Sequence, residues 1–292
     1  MYNYPLPFIQ EIPKTDLHLH LDGSLRLATL IDLAKQFKVE LPSYTEEGLR
    51  ELVFKDSYQN LGEYLHGFMY TCGVLRWPEA LERVSYELAI DNQKEGVRYI
   101  EPRFAPQLHM DNKNMSMELI LESVNKGLER AANEFNARQE VQKGEEPPFD
   151  YGIITCAMRS FGPSFSPYYG KFYALHQYAD SIEVIKMAAL ELARGIVKIR
   201  DERGIPIVGL DLAGQEDGYP AEYFKEAYQY VHRYFMHKTV HAGEAYGAES
   251  IFQALTDLNA DRLGHGYYLF DWDKVSDPAI TCLLYTSPSP RD

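Results

Sequence analysis

Between Asp16 and Asp22 polar residues alternate with leucine, so Asp16, His18, His20 and Asp22 share one parity and Leu17, Leu19 and Leu21 the other. Successive side chains on a strand point to opposite faces, and this period of two predicts a strand with one apolar face, ended by Gly23. Beyond it the period changes. Leu27, Leu30, Ile31, Ala34 and Phe37 fall at the three-and-four spacing of a helix with one buried face, with Ser24 as its N-cap. A half-polar strand therefore runs directly into an amphipathic helix.

The same change of period recurs along the chain. Helices are predicted over 61–75 and 79–94, the second opened by Pro78 and closed by Gly96, and a strand follows at 97–101. An amphipathic helix over 115–135 leads through a polar surface loop, 139–148, to a strand at 151–158. A Gly-, Pro- and Ser-rich loop over 160–170 precedes a long helix, 181–203, and a strand at 205–211. The stripe Tyr223, Phe224, Tyr228, Val231 and Phe235 reads as a helix packed on a sheet, core packing being favoured over an aromatic box for a cofactor. A strand at 238–241, a helix over 248–258 and a strand at 262–265 follow.

Repeated strand–helix units imply a parallel sheet with right-handed crossovers. Histidines or acids stand at the C-terminal ends of strands one, four, five and six, and a barrel gathers such ends into one pocket where an open sheet would scatter them. The expected fold class is α/β, a TIM (β/α)8-type barrel that is incomplete, with about six of eight strands. No Gly-x-Gly-x-x-Gly turn follows any strand, which argues against a dinucleotide.

Composition narrows the partners. The 292 residues are 45% hydrophobic, enough for a sizeable core, and 43 acidic against 29 basic residues leave a net charge of -14. Nucleic acid and anionic membrane surfaces are held by clustered Lys and Arg, so neither is expected. Cys72, Cys156 and Cys282 are odd in number and far apart, which excludes a disulfide framework and a Cys-x-x-Cys metal site. With no basic, apolar leader and no run of eighteen apolar residues, the expected location is cytoplasmic.

The chemistry concentrates in three places. Two imidazoles on one strand face, flanked by carboxylates, describe either a solvated edge or half of a metal site. His241-Ala-Gly-Glu244 adds an imidazole at a strand end and a carboxylate three residues on; alone, His241 reads as a satisfied core histidine. Joined with His18 and His20 it makes a three-imidazole set suited to Zn2+. His265, between Gly264 and Gly266, stands at the next strand end as a base or electrostatic stabiliser, or as a loop histidine. His66, His109, His176, His232 and His237 lack matching partners and read as ordinary.

These elements resemble the adenosine deaminase family of zinc-dependent aminohydrolases across roughly residues 6 to 280. They are Thr-Asp-Leu-His-Leu-His-Leu-Asp-Gly-Ser at 15 to 24, Gly-Leu-Asp-Leu-Ala-Gly at 209 to 214, His-Ala-Gly-Glu at 241 to 244 and Arg-Leu-Gly-His-Gly at 262 to 266. The resemblance implies that His18, His20 and His241 bind Zn2+, His20 also lying against the substrate. It further implies that Glu244 protonates the purine N1, His265 orients or deprotonates the attacking water, Gly214 bonds the purine N3 and Asp22 holds a ribose hydroxyl. The implied reaction is adenosine, or deoxyadenosine, plus water giving inosine, or deoxyinosine, plus ammonia. No Pro-Cys-x-x-Cys signature of the other zinc deaminase class is present.

The resemblance fails at the C-terminus. The family carries two further strands, the last ending in paired aspartates, one of them a zinc ligand; no counterpart is found after Pro278. Residues 1–280 are therefore expected to form a truncated barrel and 281–292 a non-native tail. Unpaired sheet edges and self-association would follow. Two alternatives stay open: a deaminase of adenine or an aminodeoxyfutalosine-type nucleoside, and a non-catalytic purine-binding remnant. Asp22, where those sister groups tend to carry Glu, favours a purine nucleoside of the adenosine type.

Overall fold

The alternation at Asp16–Asp22 becomes a strand because its leucines have somewhere to go: Leu19 and Leu21 are buried. The computed structural model describes residues 4–271 except 112. Its strands are β1 (Lys14–His20), β2 (Val97–Phe104), β3 (Asp150–Tyr151), β4 (Ile153–Met158), β5 (Ile207–Ala213), β6 (His237–Ala242) and β7 (Arg262–His265). Hydrogen bonding follows chain order, β1-β2-β4-β5-β6-β7, with the two-residue β3 beside β2. Parallel pairing joins β1 to β2, β2 to β3 and β4, and β6 to β7. This is the α/β class with the strand order of an incomplete (β/α)8 barrel.

The chain forms two compact units. One comprises the chain up to Cys156 with Phe161–Ala179 and Gly195–Gly209; the other comprises Ala157–Ser160, Asp180–Arg194 and the chain from Leu210. In the first, the helices Pro78–Lys94 and Met117–Asn136 pack along their length, burying Leu81, Val84 and Leu88 on one and Ile120, Val124 and Leu128 on the other. Their close approach needs Gly127, where a Cβ would run into the Glu82 carbonyl and the Ser85 hydroxyl. In the second, Tyr228 and Val231 of the helix Lys225–Arg233 are buried, and the Tyr228 hydroxyl donates to the Thr239 carbonyl at 2.7 Å. Phe224, Tyr228 and Val231 of the aromatic stripe are thus core, while Tyr223 is half-buried and Phe235 is 94% exposed with φ 56° in the turn that ends the helix.

Several boundaries move for local reasons. Ser24 does not cap the following helix: its hydroxyl donates to the His20 carbonyl at 2.6 Å, closing the turn after β1, and the helix Leu27–Phe37 starts from Arg26. The predicted helix over 61–75 is two, Leu61–His66 and Phe68–Val74, because the ladder tightens at Gly67, whose N–H bonds Tyr64. The strand at 151–158 is broken at Gly152, where a Cβ would come within 2.6 Å of Val208. A helix, Pro167–Leu175, emerges from the predicted loop with Ser166 capping Tyr169 N–H at 3.2 Å, and a short one, Gln139–Gln142, from the next loop upstream. No described helix is long and apolar enough to cross a membrane. The tail expected over 281–292 lies outside the described residues.

Candidate functional site

Each unit carries one group of the chemistry-bearing residues. In the first, His18 and His20 lie on β1 with ring centroids 5.6 Å apart, as two residues of one strand face should. The Phe68 ring meets His20 edge-on at 6.2 Å. Asp22 is not on the strand. The Gly23 N–H and the Ser24 hydroxyl both bond the His20 carbonyl, at 3.2 and 2.6 Å, and the resulting turn carries Asp22 inward until 4% of it is exposed. A Cβ at Gly23 would stand 3.1 Å from the Phe68 ring, so the ring packs closely over the turn.

Burial governs the electrostatics around Asp22. Loss of solvent pushes its carboxyl up to about 7, because the charged form is the one that needs water. The Cys72 thiol lies 3.9 Å away, and burial and the Asp22 charge raise its pKa as well. His109, read from sequence as ordinary, is completely buried, and neither ring nitrogen has a hydrogen-bond partner. Burial and the nearby Arg76 charge lower its pKa to about 3.

In the second unit, β5, β6 and β7 bring their C-terminal ends to one place. Thr239 and His241 share a face of β6, and both meet Asp211 of β5: the Thr239 hydroxyl donates to it at 2.7 Å, and the His241 Nδ1 lies 2.9 Å from its Oδ2. Asp211 is fully buried. Behind it, Arg159 donates to the His241 carbonyl at 2.7 Å and to the Tyr219 carbonyl at 2.6 Å. His241 is therefore held by ring and backbone together.

The loop after β6 hangs on one buried carboxylate. Glu216 accepts from the N–H groups of Gly243, Glu244, Ala245 and Tyr246 at 2.6, 3.1, 2.7 and 2.8 Å, and from the Ser250 hydroxyl. Four successive donors converging on one anion fix the backbone under Glu244. Gly243, at φ 70°, allows the turn, and a Cβ there would come within 2.6 Å of Ile251. The Glu244 side chain faces His265, Oε2 to Nε2 3.5 Å, and the His241 and His265 rings are 5.1 Å apart.

Desolvation raises the Glu244 pKa, helped by the Glu216 charge and opposed by His241 and Arg159. A carboxyl so placed is suited to giving a proton. His265 sits at φ 74°, left-handed for a non-glycine residue, a conformation held where the surroundings over-determine it. Gly214 follows β5 at φ 99°, beyond the reach of other residues, with its Cβ direction 3.3 Å from Met158.

Sequence reasoning singled out His18, His20, His241, Glu244, His265, Asp22 and Gly214 and missed the residues that hold them. Asp211 lies in the motif at 209–214, whose resemblance implies no role for it; Arg159 and Glu216 carry no sequence signal, because their partners are far along the chain. The donor set fits a metal on one observation: the Asp211 carboxylate lies 2.9 Å from Nδ1 of His241, the carboxylate–imidazole juxtaposition that accompanies a metal-ligating histidine whose Nε2 is left to bind.

The sequence matches the Adenosine deaminase family over residues 13–166 and 175–279. It is 36% identical over 260 residues to an adenosine deaminase of Vibrio atlanticus (strain LGP32), covering 88% of this chain and 66% of the relative. It is 34% identical over 264 residues to that of Clostridium botulinum (strain Okra / Type B1), covering 90% and 67%. The chain thus spans about two thirds of the length of these curated relatives. Among solved structures, Arabidopsis ADAL complexed with IMP is similar at TM-score 0.65 and 25% identity, over 91% of this chain and 69% of that one. An adenine deaminase from Arthrobacter aurescens shares the fold at TM-score 0.63 and 22% identity, over 86% and 64%.

Proposed function

Because the chain belongs to the adenosine deaminase family, we propose that it serves the hydrolytic deamination of adenosine and deoxyadenosine, releasing ammonia from C6 of the purine. The observation that carries this reading is the second-unit group: a half-buried, partly desolvated carboxyl at Glu244, a histidine 3.5 Å from it, and His241 beside Asp211 at 2.9 Å. Attack of water on an aromatic amidine carbon needs a strong nucleophile at neutral pH and a proton for the ring nitrogen.

In this reading His18, His20 and His241 together hold Zn2+, which when bound supplies a water acidic enough to attack at neutral pH. Glu244 gives a proton to purine N1, so that electron density from the attacked C6 has somewhere to go. His265 takes the proton from the attacking water and holds it for the departing amine. The Gly214 N–H donates to N3, its positive φ turning the backbone toward the base. Asp22 accepts from a ribose hydroxyl. The arrangement of charges fits a neutral nucleoside: none of these residues is a Lys or Arg. The catalytic body is residues 1–280, and the family match ends at 279.

Asp22 rather than Glu after β1 favours adenosine over adenine or an aminodeoxyfutalosine-type nucleoside. The test is to express the chain, measure bound zinc, and compare turnover of adenosine, deoxyadenosine, adenine and AMP. Adenosine and deoxyadenosine should lead; adenine as the best substrate overturns the choice of substrate, and bound nucleoside without turnover makes the chain a binding protein.

A further inference from the structure

We propose that Asp22, Cys72 and His109 form a buried site for a borderline-soft divalent cation, Zn2+ or Cd2+, beside the one assigned to His18, His20 and His241. The three residues come from the turn after β1, the helix Phe68–Val74 and the turn that follows the 3-10 helix Pro106–Leu108. Each offers one ligand atom, and the three atoms lie within 4.8 Å of one another. The set contracts by about 1 Å to surround an ion at roughly 2.0–2.3 Å.

Two observations point to a ligand here. His109 is fully buried with both ring nitrogens unpartnered, and Asp22 Oδ1 is likewise buried without a hydrogen bond. An unmet buried polar atom costs about 1–3 kcal/mol, so a site that brings Asp22 and His109 together with such atoms unmet needs something in it. A water can satisfy part of this need. One sulfur, one imidazole nitrogen and one carboxylate oxygen are instead the donor types that Zn2+ and Cd2+ take together. Charge also fits: thiolate and carboxylate neutralise the dication, which matters because the Arg76 guanidinium adds positive charge near Cys72 and His109.

The site adjoins β1, since Asp22 Oδ1 stands 4.0 Å from His20 Nδ1. Resting on the reading of Asp22 as the ribose partner, an ion here takes that carboxylate away from the nucleoside, so excess metal would inhibit.

The experiment strips the full chain with chelator and titrates it with Cd2+, reading the thiolate-to-cadmium charge-transfer absorbance and the cadmium-113 NMR signal. One thiolate-bound cadmium per chain is expected, kept in Cys156→Ala and in Cys282→Ser. It should vanish in Cys72→Ala and bind at least tenfold more weakly in His109→Leu. No thiolate band in the unmodified chain, a band that survives Cys72→Ala, or unchanged affinity in His109→Leu overturns the site. Should either variant fail to fold, the NMR shift of the unmodified chain decides: a signal from one sulfur with nitrogen and oxygen supports the site, and nitrogen and oxygen alone refutes it. The three-histidine set has no sulfur, so its failure removes the sulfur-free signal and leaves the thiolate band.

Discussion

Asp211 Oδ2 lies 2.9 Å from His241 Nδ1, and both groups are buried. A neutral imidazole has one N–H, and the carboxylate decides where it stands, leaving Nε2 as the lone-pair nitrogen. Asp211→Asn loses that control, because its amide can present a donor to Nδ1. Metal affinity should fall by about 10–100-fold, read by competition with a calibrated chelator. Unchanged affinity would separate Asp211 from metal binding.

Glu244→Gln should keep the metal and lower turnover by about 10²–10⁴. Burial raises the Glu244 pKa, so the carboxyl keeps its proton to higher pH than an exposed glutamic acid. A general acid must be protonated, so kcat/KM should fall as pH rises through that raised pKa. The limb should be missing from the residual activity of the variant; a limb that persists would belong to another group.

Glu216→Ala should leave five donors facing a hole and destabilise the chain by about 3 kcal/mol or more. Before global unfolding shows, amide exchange at residues 243–246 should quicken relative to the β6 amides. Equal protection in the variant and the parent would mean the loop is held by something else.

His109 and Asp22 make opposite contributions to stability against pH. Between about 3 and the ordinary 6.5 the unfolded chain protonates the histidine and the folded chain does not, so stability rises with pH in that window. Asp22, raised from 3.8 to about 7, binds its proton more readily folded, and its contribution is lost as pH rises through that range. His109→Leu removes the first effect alone. In chelated protein, parent stability minus variant stability should increase by about 1 kcal/mol from pH 5 to pH 6, measured by urea unfolding. No change would show that His109 is protonated in the fold.

Much of the fold was legible because the signals are local. Alternation placed β1, Pro78 and Gly96 bounded the helix at 78–94, and an amphipathic pattern placed the helix at 117–136, each to within a residue or two. The misses are cases where two local signals competed. Ser24 is a sound N-cap by type, yet its hydroxyl was taken by the His20 carbonyl. Ser166-Pro167 is a sound helix start, hidden inside a Gly-, Pro- and Ser-rich stretch that reads as loop. Phe235 fits the aromatic stripe by spacing but comes after the helix has ended.

The sequence by itself determined which residue types stand at the strand ends, because strand parity and the glycines that end each run are written in consecutive residues: His18 and His20 before Gly23, His241 before Gly243, His265 before Gly266. Only the tertiary structure decided what surrounds them. Asp211 meets His241 across 30 positions of chain, Arg159 reaches it across 82, and Glu216 gathers amides 27 to 30 residues away. The same holds for Asp22, Cys72 and His109, which no spacing joins. Burial, which raises the Asp22 and Glu244 carboxyls and keeps His109 neutral, is a sum over every atom packed nearby. It exists only once the chain has closed around the group.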